Sequence, residues 1–404
     1  MYDENTVGPR LRTLRKWRKL SLVQLAGQAG MSKSHLSDIE RGRKALDRRS
    51  WIAGLANALR VSETEIVGGP HLTQDDVQSA PHAYIPPLRD ALESNGVYLH
   101  PVVDRARPLD ELTALMAGDI EARRREYDYV EVGKLLPDLI DELHFHASEG
   151  DEYAQRRAWE TLIEAYMCAA GMARTLTYPD LGHMAAMRAD EVAVKLGDPI
   201  TRGKVTFSLI RPNASNWNRV RVMAERAANE LEPHVRTPGD LQVLGMLTLN
   251  AAMACAATNN HQAAGHWLNE ADELARRVPD DMGSNWQAFC TTNVNTWRIA
   301  VGVEYGESGA LVAGKAGHVD ESKLRMHTAR RSSFYSDVGR GLARDPKTRE
   351  EAIKWLKMGE TIAPQRFRND PKVRSTVTVM LERARLDAIG RELRGMAARL
   401  GIPH

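Results

Sequence analysis

The sequence predicts an all-α chain with a compact head of short helices followed by a long array of helix hairpins. Three observations carry this reading. Phe, Trp and Tyr make up only 6% of the residues, fewer than strand-rich cores use. Apolar residues from about 109 onward recur at i, i+3, i+4 and i+7, as in Leu135, Leu136, Leu139, Ile140 and Leu143, and no stretch alternates with period 2. Short Pro-, Gly- and Asn-bearing breakers interrupt the pattern at intervals that suit helix pairs.

The 404 residues suffice for one small domain plus an extended array. Residues 1–67 form the expected head. Residues 68–87, GGPHLTQDDVQSAPHAYIPP, have no periodic apolar pattern and read as a linker. Residues 88–404 form the expected array. The breakers Tyr178-Pro179-Asp180, Arg211-Pro212-Asn213, Asn259-Asn260, Tyr305-Gly306-Glu307 and Asp345-Pro346 mark turns within helix pairs. Clear pairs are 157–176 with 181–196, and 240–258 with 262–278. A further pair closes at 351–362. A hairpin unit that recurs this often suggests an α-solenoid.

Charge divides the same way. Residues 1–67 carry 13 Lys/Arg against seven Asp/Glu, and the remainder carries 42 against 46. A basic head on a mildly acidic body implies that the head alone meets a polyanion. Cys168, Cys255 and Cys290 are far apart and form no C-x-x-C, which excludes a disulfide framework and a zinc ribbon. No apolar run is expected to reach the roughly 18 residues that span a bilayer. Met1-Tyr2-Asp3-Glu4-Asn5 lacks both the basic start and the apolar core of a leader. No membrane segment is expected, and a reducing cytoplasm is the expected location.

The sharpest local signal is SLVQLAGQAGMSKSHLSDIERG, Ser21 to Gly42. Ser21 suits the N-cap of a helix over 22–29. Gly30 can supply the positive φ of a tight turn. Ser32 then caps a second helix over 33–41, which Gly42 ends. Leu25, Ala26, Met31, Leu36 and Ile39 have the spacing of one buried face per helix. Two short helices joined at a glycine turn make a helix-turn-helix, whose second helix enters the major groove of double-stranded DNA. Its polar face offers Lys33, Ser34, His35, Ser37 and Asp38 to base edges. Arg10, Arg12, Lys16, Lys19, Gln24, Arg41, Arg43 and Lys44 are placed for phosphates.

These residues resemble the Xre/Cro-repressor type of helix-turn-helix domain. The matching phrases are Gly8-Pro9-Arg10-Leu11-Arg12-Thr13-Leu14-Arg15, Ser21-Leu22, Gln24-Leu25-Ala26, Gly30-Met31-Ser32, Leu36-Ser37 and Ile39-Glu40-Arg41-Gly42. The resemblance implies a five-helix, lambda-repressor-like fold, with further helices over 51–59 and 63–67. It also implies that Arg15 pairs with Glu40 as a structural tie. The family often begins its recognition helix with Gln. Lys33 and Ser34 stand here instead, so the operator is this chain's own. Residues 82–404 resemble the tetratricopeptide-like sensor half of regulators from high-GC bacteria. The matching phrases include Val132-Gly133-Lys134-Leu135-Leu136-Pro137, Leu196-Gly197-Asp198-Pro199 and Leu393-Arg394-Gly395-Met396-Ala397. The architecture is loosely similar to the RRNPP quorum-sensing regulators, which bind small peptides in the concave face of their repeats.

A solenoid presents a concave wall, and polar residues in otherwise apolar helices are its candidate contacts. Asn213, Trp217, Asn250, Asn293, Trp297 and Arg298 are those candidates, because amides satisfy a peptide backbone and indoles wall a side chain. No nucleotide-binding, metalloprotease or nucleophile-elbow motif occurs, so neither enzymatic activity nor a cofactor is expected. His144 and His146 lie two apart on a helix and face apart, so no metal site is expected. The expectation is a homodimeric regulator that binds a palindromic operator. Its array would sense a peptide or small molecule, with the amphipathic 373–400 region as a candidate for pairing. A scaffold whose repeats recruit a protein partner is the alternative.

Overall fold

The computed structural model describes residues 6–68, 79–210, 216–384 and 390–402. The chain is all-α, and no strand occurs among the described residues. The head comprises α1 (Val7–Trp17), α2 (Leu22–Gln28), α3 (Lys33–Glu40), α4 (Arg49–Leu59) and α5 (Glu63–Val67). Leu11, Leu25, Leu36, Leu46, Leu55, Leu59 and Ile66 meet in one small core. Such a core is marginal alone, and one ion pair braces it. The Arg15 guanidinium donates from Nε and Nη2 to the two Glu40 carboxylate oxygens at 2.6 and 2.9 Å. Its Nη1 donates to the Leu20 carbonyl at 2.9 Å. The pair ties α1 to the end of α3, as expected from the sequence.

The array begins earlier than the sequence reading placed it. Residues 69–78 of the anticipated linker lie outside the described residues. Ala80–Tyr84 form a 3-10 turn that runs into α6 (Ile85–Ser94), with Ile85 and Leu88 in the core. The prolines that suggested a linker are tolerated at this helix start, where the missing N–H has no intrahelical partner to lose. There follow α7 (Leu109–Leu115), a π-helical turn over Met116–Ile120, and α8 (Glu121–Glu126). The long helices α9 (Tyr129–Glu149), α10 (Glu152–Thr175), α11 (Pro179–Leu196) and α12 (Pro199–Leu209) follow, with α10 and α11 paired about the turn at 178. Next come α13 (Trp217–Leu231), α14 (Pro238–Ala257), α15 (His261–Ala275) and α16 (Thr291–Tyr305), with α14 and α15 paired about the turn at 260. The chain closes with α17 (Ala310–Ala316), α18 (Glu321–Leu324), α19 (Thr328–Ala343), α20 (Arg349–Ile362), α21 (Pro364–Arg368), α22 (Pro371–Ala384) and α23 (Gly390–Arg399).

Among the described residues one helix, α14, is long and apolar enough to cross a membrane, where the sequence reading expected none. It is instead the central strut of the array, with 83% of its apolar window buried. It packs between α13 and α15 and also meets α12 and α16. A helix apolar on every side is a core helix.

The two ends of the array touch. Ala363, at the start of α21, belongs to the core of the first hairpins, and Ala329 and Ile362 pack against it. His144 and His146 each bond a backbone carbonyl of the 96–107 segment, Gly96 and Arg107, both at 2.7 Å. The amphipathic 373–400 region covers its own apolar face. Val373, Val377, Leu393, Met396 and Leu400 are buried against α19 and α20. The buried Glu360 carboxylate holds Arg399 at 2.6 Å and Arg368 at 2.9 Å, which fastens α23 to α20. That face is therefore spent inside the chain and is not the surface for pairing.

Glu40→Ala leaves the Arg15 guanidinium half-enclosed without its carboxylate. The expected loss is about 3 kcal/mol, the usual cost of breaking a buried pair, read as a lower urea midpoint for the head. An unchanged midpoint would mean that the pair contributes nothing.

Candidate nucleic-acid interface

The reading unit is built by local capping. The Ser21 hydroxyl accepts from the Gln24 amide, and the Gln24 side chain accepts from the Ser21 amide at 2.9 Å, a closed capping box. The box employs the Gln24 side-chain carbonyl oxygen; its side-chain N–H groups, which a phosphate would use, take no part in it. After α2 the chain turns through Gly30 at φ +67°, a conformation that costs a side-chain-bearing residue. The Met31 amide returns to the Ala26 carbonyl at 2.9 Å, and Ser32 caps α3 through the His35 amide at 3.1 Å.

This geometry leaves Lys33 and Ser34 exposed on the first turn of α3. Ser37 and Asp38 are half-buried one turn on. Asp38 is engaged by Lys44 at 3.2 Å and by Arg43 at 4.0 Å, so it positions two cations as well as facing outward. His35 turns away from its expected place. Its ring lies on Trp51 at 4.2 Å, and Arg48 covers the same indole at 4.1 Å. Burial, reinforced by Lys44 and Arg48, pushes His35 down to about 4, so it is neutral at pH 7. Its spacing suggested an outward face, but in the first turn of α3 it packs onto Trp51 of α4.

The flanking cations split into two groups. Lys16, Lys19, Arg41, Arg43 and Lys44 are exposed around α3. Arg10 and Arg12 are half-buried, and Arg10 donates to the Ile66 carbonyl at 3.3 Å, tying α1 to α5.

The head is docked on its own array. The loop from α3 to α4 carries the contact. Asp47 is 2% exposed, and its carboxylate accepts from Arg344 at 2.8 and 3.0 Å, while its carbonyl accepts from Arg340. Arg340, itself 1% exposed, also holds Asp337 at 2.7 Å. The Glu304 carboxylate is fully buried and takes Arg49 at 3.1 Å and the Ser50 amide at 3.2 Å. The Leu46 amide donates to the Ser375 hydroxyl at 2.8 Å. An apolar contact completes the seam, with Ala53 of α4 set among Trp217, Val220, Ala254 and Ala257. The available signal was a charge inside a buried face, as with Glu304 after Val303 and Arg340 between two glycines.

The groove candidates fare differently. Asn213 lies outside the described residues. Trp217 is a wall of the head–array seam. Asn293 is fully buried, and its amide donates to the Gln287 carbonyl at 3.3 Å while Thr296 donates to its side-chain oxygen at 3.2 Å. That makes it a tie between α16 and the preceding loop, not an open-groove residue. Asn250 is half-buried, and Trp297 is nearly buried beneath Arg330 at 5.0 Å. Arg298 is bound to Asn269 at 3.3 Å, at the edge of a different surface cleft. The structure does not gather the five described candidates into one groove. They were chosen as polar interruptions of apolar helices, and most of them serve packing between neighbouring helices.

Comparison with known proteins agrees with the geometry of the head. Residues 6–67 match the family described as a helix-turn-helix domain. The chain is 42% identical over 71 residues to the immunity repressor protein of Bacillus phage phi105. That match covers 18% of this chain and 49% of the relative, so the chain spans about half the length of the relative it matches. No solved structure matches the chain.

Glu63, on α5, faces the seam near Lys372 and Arg49, and burial pushes its carboxyl up to about 7. The folded protein therefore holds a proton that the unfolded chain releases near 4.5. Stability falls as pH rises from about 4.5 to 7 and is flat with respect to this group above that. Glu63→Gln is expected to remove that slope and raise the melting temperature at pH 8 relative to the parent. Parallel pH profiles for parent and variant would contradict this.

Proposed function

We propose that the chain is a sequence-specific DNA-binding transcription regulator. One observation carries this reading. A capped α2, the Gly30 turn and a capped α3 present Lys33 and Ser34 to solvent, flanked by exposed Lys16, Lys19, Arg41, Arg43 and Lys44. The first turn of such a helix is the part that meets base edges. The family match over the head and the likeness to a phage immunity repressor support the reading.

Lys33 and Ser34 read bases, while Ser37 and Asp38 sit deeper in the groove, with Asp38 also steering Arg43 and Lys44. Lys16, Lys19, Arg41, Arg43 and Lys44 hold phosphates and set the register. Arg10, Arg12 and His35 stay in support, because each lies half-buried, while the exposed Gln24 keeps its side-chain N–H groups for a phosphate. The docked head leaves Lys33 and Ser34 exposed, which supports DNA binding in this arrangement.

A single head covers only a half-site. Two heads on a homodimer would read a palindrome whose halves lie about 34 Å apart, or a multiple of that. The array is the sensor part of this proposal. A peptide or small molecule changes operator affinity only by binding one head–array arrangement better than another. A protein of this kind acts in the cytoplasm.

Selection of bound fragments from the source genome with the full chain tests the reading, and enrichment of a palindrome is the expected result. On the selected site, Lys33→Ala is expected to cost about 1–3 kcal/mol and to relax preference at one base position. Arg43→Ala is expected to weaken all sequences alike and to lower the salt slope by about one. The same uniform loss in both variants would refute the division into base and phosphate contacts, and no enrichment would refute the function.

A further inference from the structure

The head and the array enclose a cleft of about 210 Å³. Its lining carries six cationic side chains, Arg43, Lys44, Arg48, Arg340, Arg344 and Arg383, against one carboxylate, Asp47. Asp47 is spent on Arg344 and Arg340. Asp38, outside the lining, partly answers Arg43 and Lys44, and Asp337 answers Arg340. No carboxylate pairs with Arg48 or Arg383 among the described residues. Arg383 donates to the Arg43 carbonyl, and Arg48 lies on Trp51.

Arg48 is the most telling of these. Its Nε is buried and, among the described residues, has no hydrogen-bond partner. Burial and the nearby Arg344 lower its pKa from the ordinary value by more than Asp47 and Glu304 raise it. The guanidinium rests directly on Gly306, at φ +105°, where a Cβ would stand 1.7 Å from its Nη2. His35 Nε2 is likewise buried and unpartnered among the described residues. Buried polar atoms and unbalanced charge are costly unless something satisfies them.

We propose that this cleft binds a small phosphorylated metabolite. The phosphate oxygens accept from Arg48 and Arg383, and an apolar or aromatic body packs toward Ala343 and Met380. Arginine forks suit phosphate bidentately. The volume holds a group of about sugar-phosphate size. The lining comes from both head and array, so the occupant bridges them and strengthens the docked arrangement. The proposal rests on the regulator reading and supplies its effector site.

The test is calorimetric titration of the full chain with inorganic pyrophosphate and with adenosine 5′-monophosphate. Ionic strength is held near 0.15 M to screen surface attraction. One saturable site per chain is expected, weakened at least tenfold by Arg48→Gln and by Arg383→Gln. Arg383 is half-buried at the rim, so its variant stays informative if Arg48→Gln fails to fold. Absence of saturable binding, or binding that survives both substitutions, overturns the proposal. So does stoichiometric displacement of pyrophosphate by a short random-sequence duplex, which would make the cleft a seat for DNA backbone. Operator binding without pyrophosphate binding sinks the cleft and spares the regulator. Pyrophosphate binding without operator binding does the reverse.

Discussion

The arrangement of this molecule depends on two buried carboxylates, Asp47 in the head and Glu304 in the array. Neither could be buried alone, because an unpaired charge away from water costs several kcal/mol. Each is answered from the opposite side of the seam. Asp47 meets Arg344 at the C-terminal cap of α19, and Glu304 of α16 meets Arg49 and the Ser50 amide of α4. Crossed pairs of this kind fix orientation more than they add net stability. Sliding the head by one residue would strand both charges at once. The Ala53–Trp217–Ala254 contact adds apolar area but little direction. The charges therefore determine where the head sits, and the apolar contact holds it there.

The array supplies a platform stiff enough for this to matter. Its helices close on themselves through Ala363 and Ile362, and α14 runs through the middle with almost no solvent-facing side. Both seam partners on the array side, α16 and α19, are packed against each other. A change at their junction would reach the head directly, through Glu304 on one helix and Arg340 and Arg344 on the next. This is a physical route by which an effector could alter DNA binding without touching α3.

Much of the local structure was legible in the sequence because it is set locally. Ser21, Gly30 and Ser32 specify caps and a turn within a dozen residues, and the helices formed where that chemistry put them. The hairpins around 178, 260 and 345 were legible for the same reason. The Arg15–Glu40 tie was implied by a resemblance and not by spacing alone. What escaped was long-range. Leu46 and Ser375 are 329 residues apart, and no periodicity relates them. The prolines at 81, 86 and 87 signalled a linker, yet two of them start a helix that the first hairpin buries. His35 and Asn293 read as exposed polar positions. Their neighbours in space, Trp51 and the loop at Gln287, turned both inward.

The central claim is that docking through the seam sets the operator affinity of the head. It is tested most directly by the operator affinity of a Glu304→Gln chain. Glu304 is fully buried and far in sequence from α3, so it cannot contact DNA from its place in the fold. Loss of its charge should loosen Arg49 and the start of α4 while leaving the reading residues intact. The account predicts a several-fold weaker operator affinity with an unchanged salt slope and unchanged base preference. Parent-like affinity, in a variant whose head amides exchange faster with solvent, would contradict it.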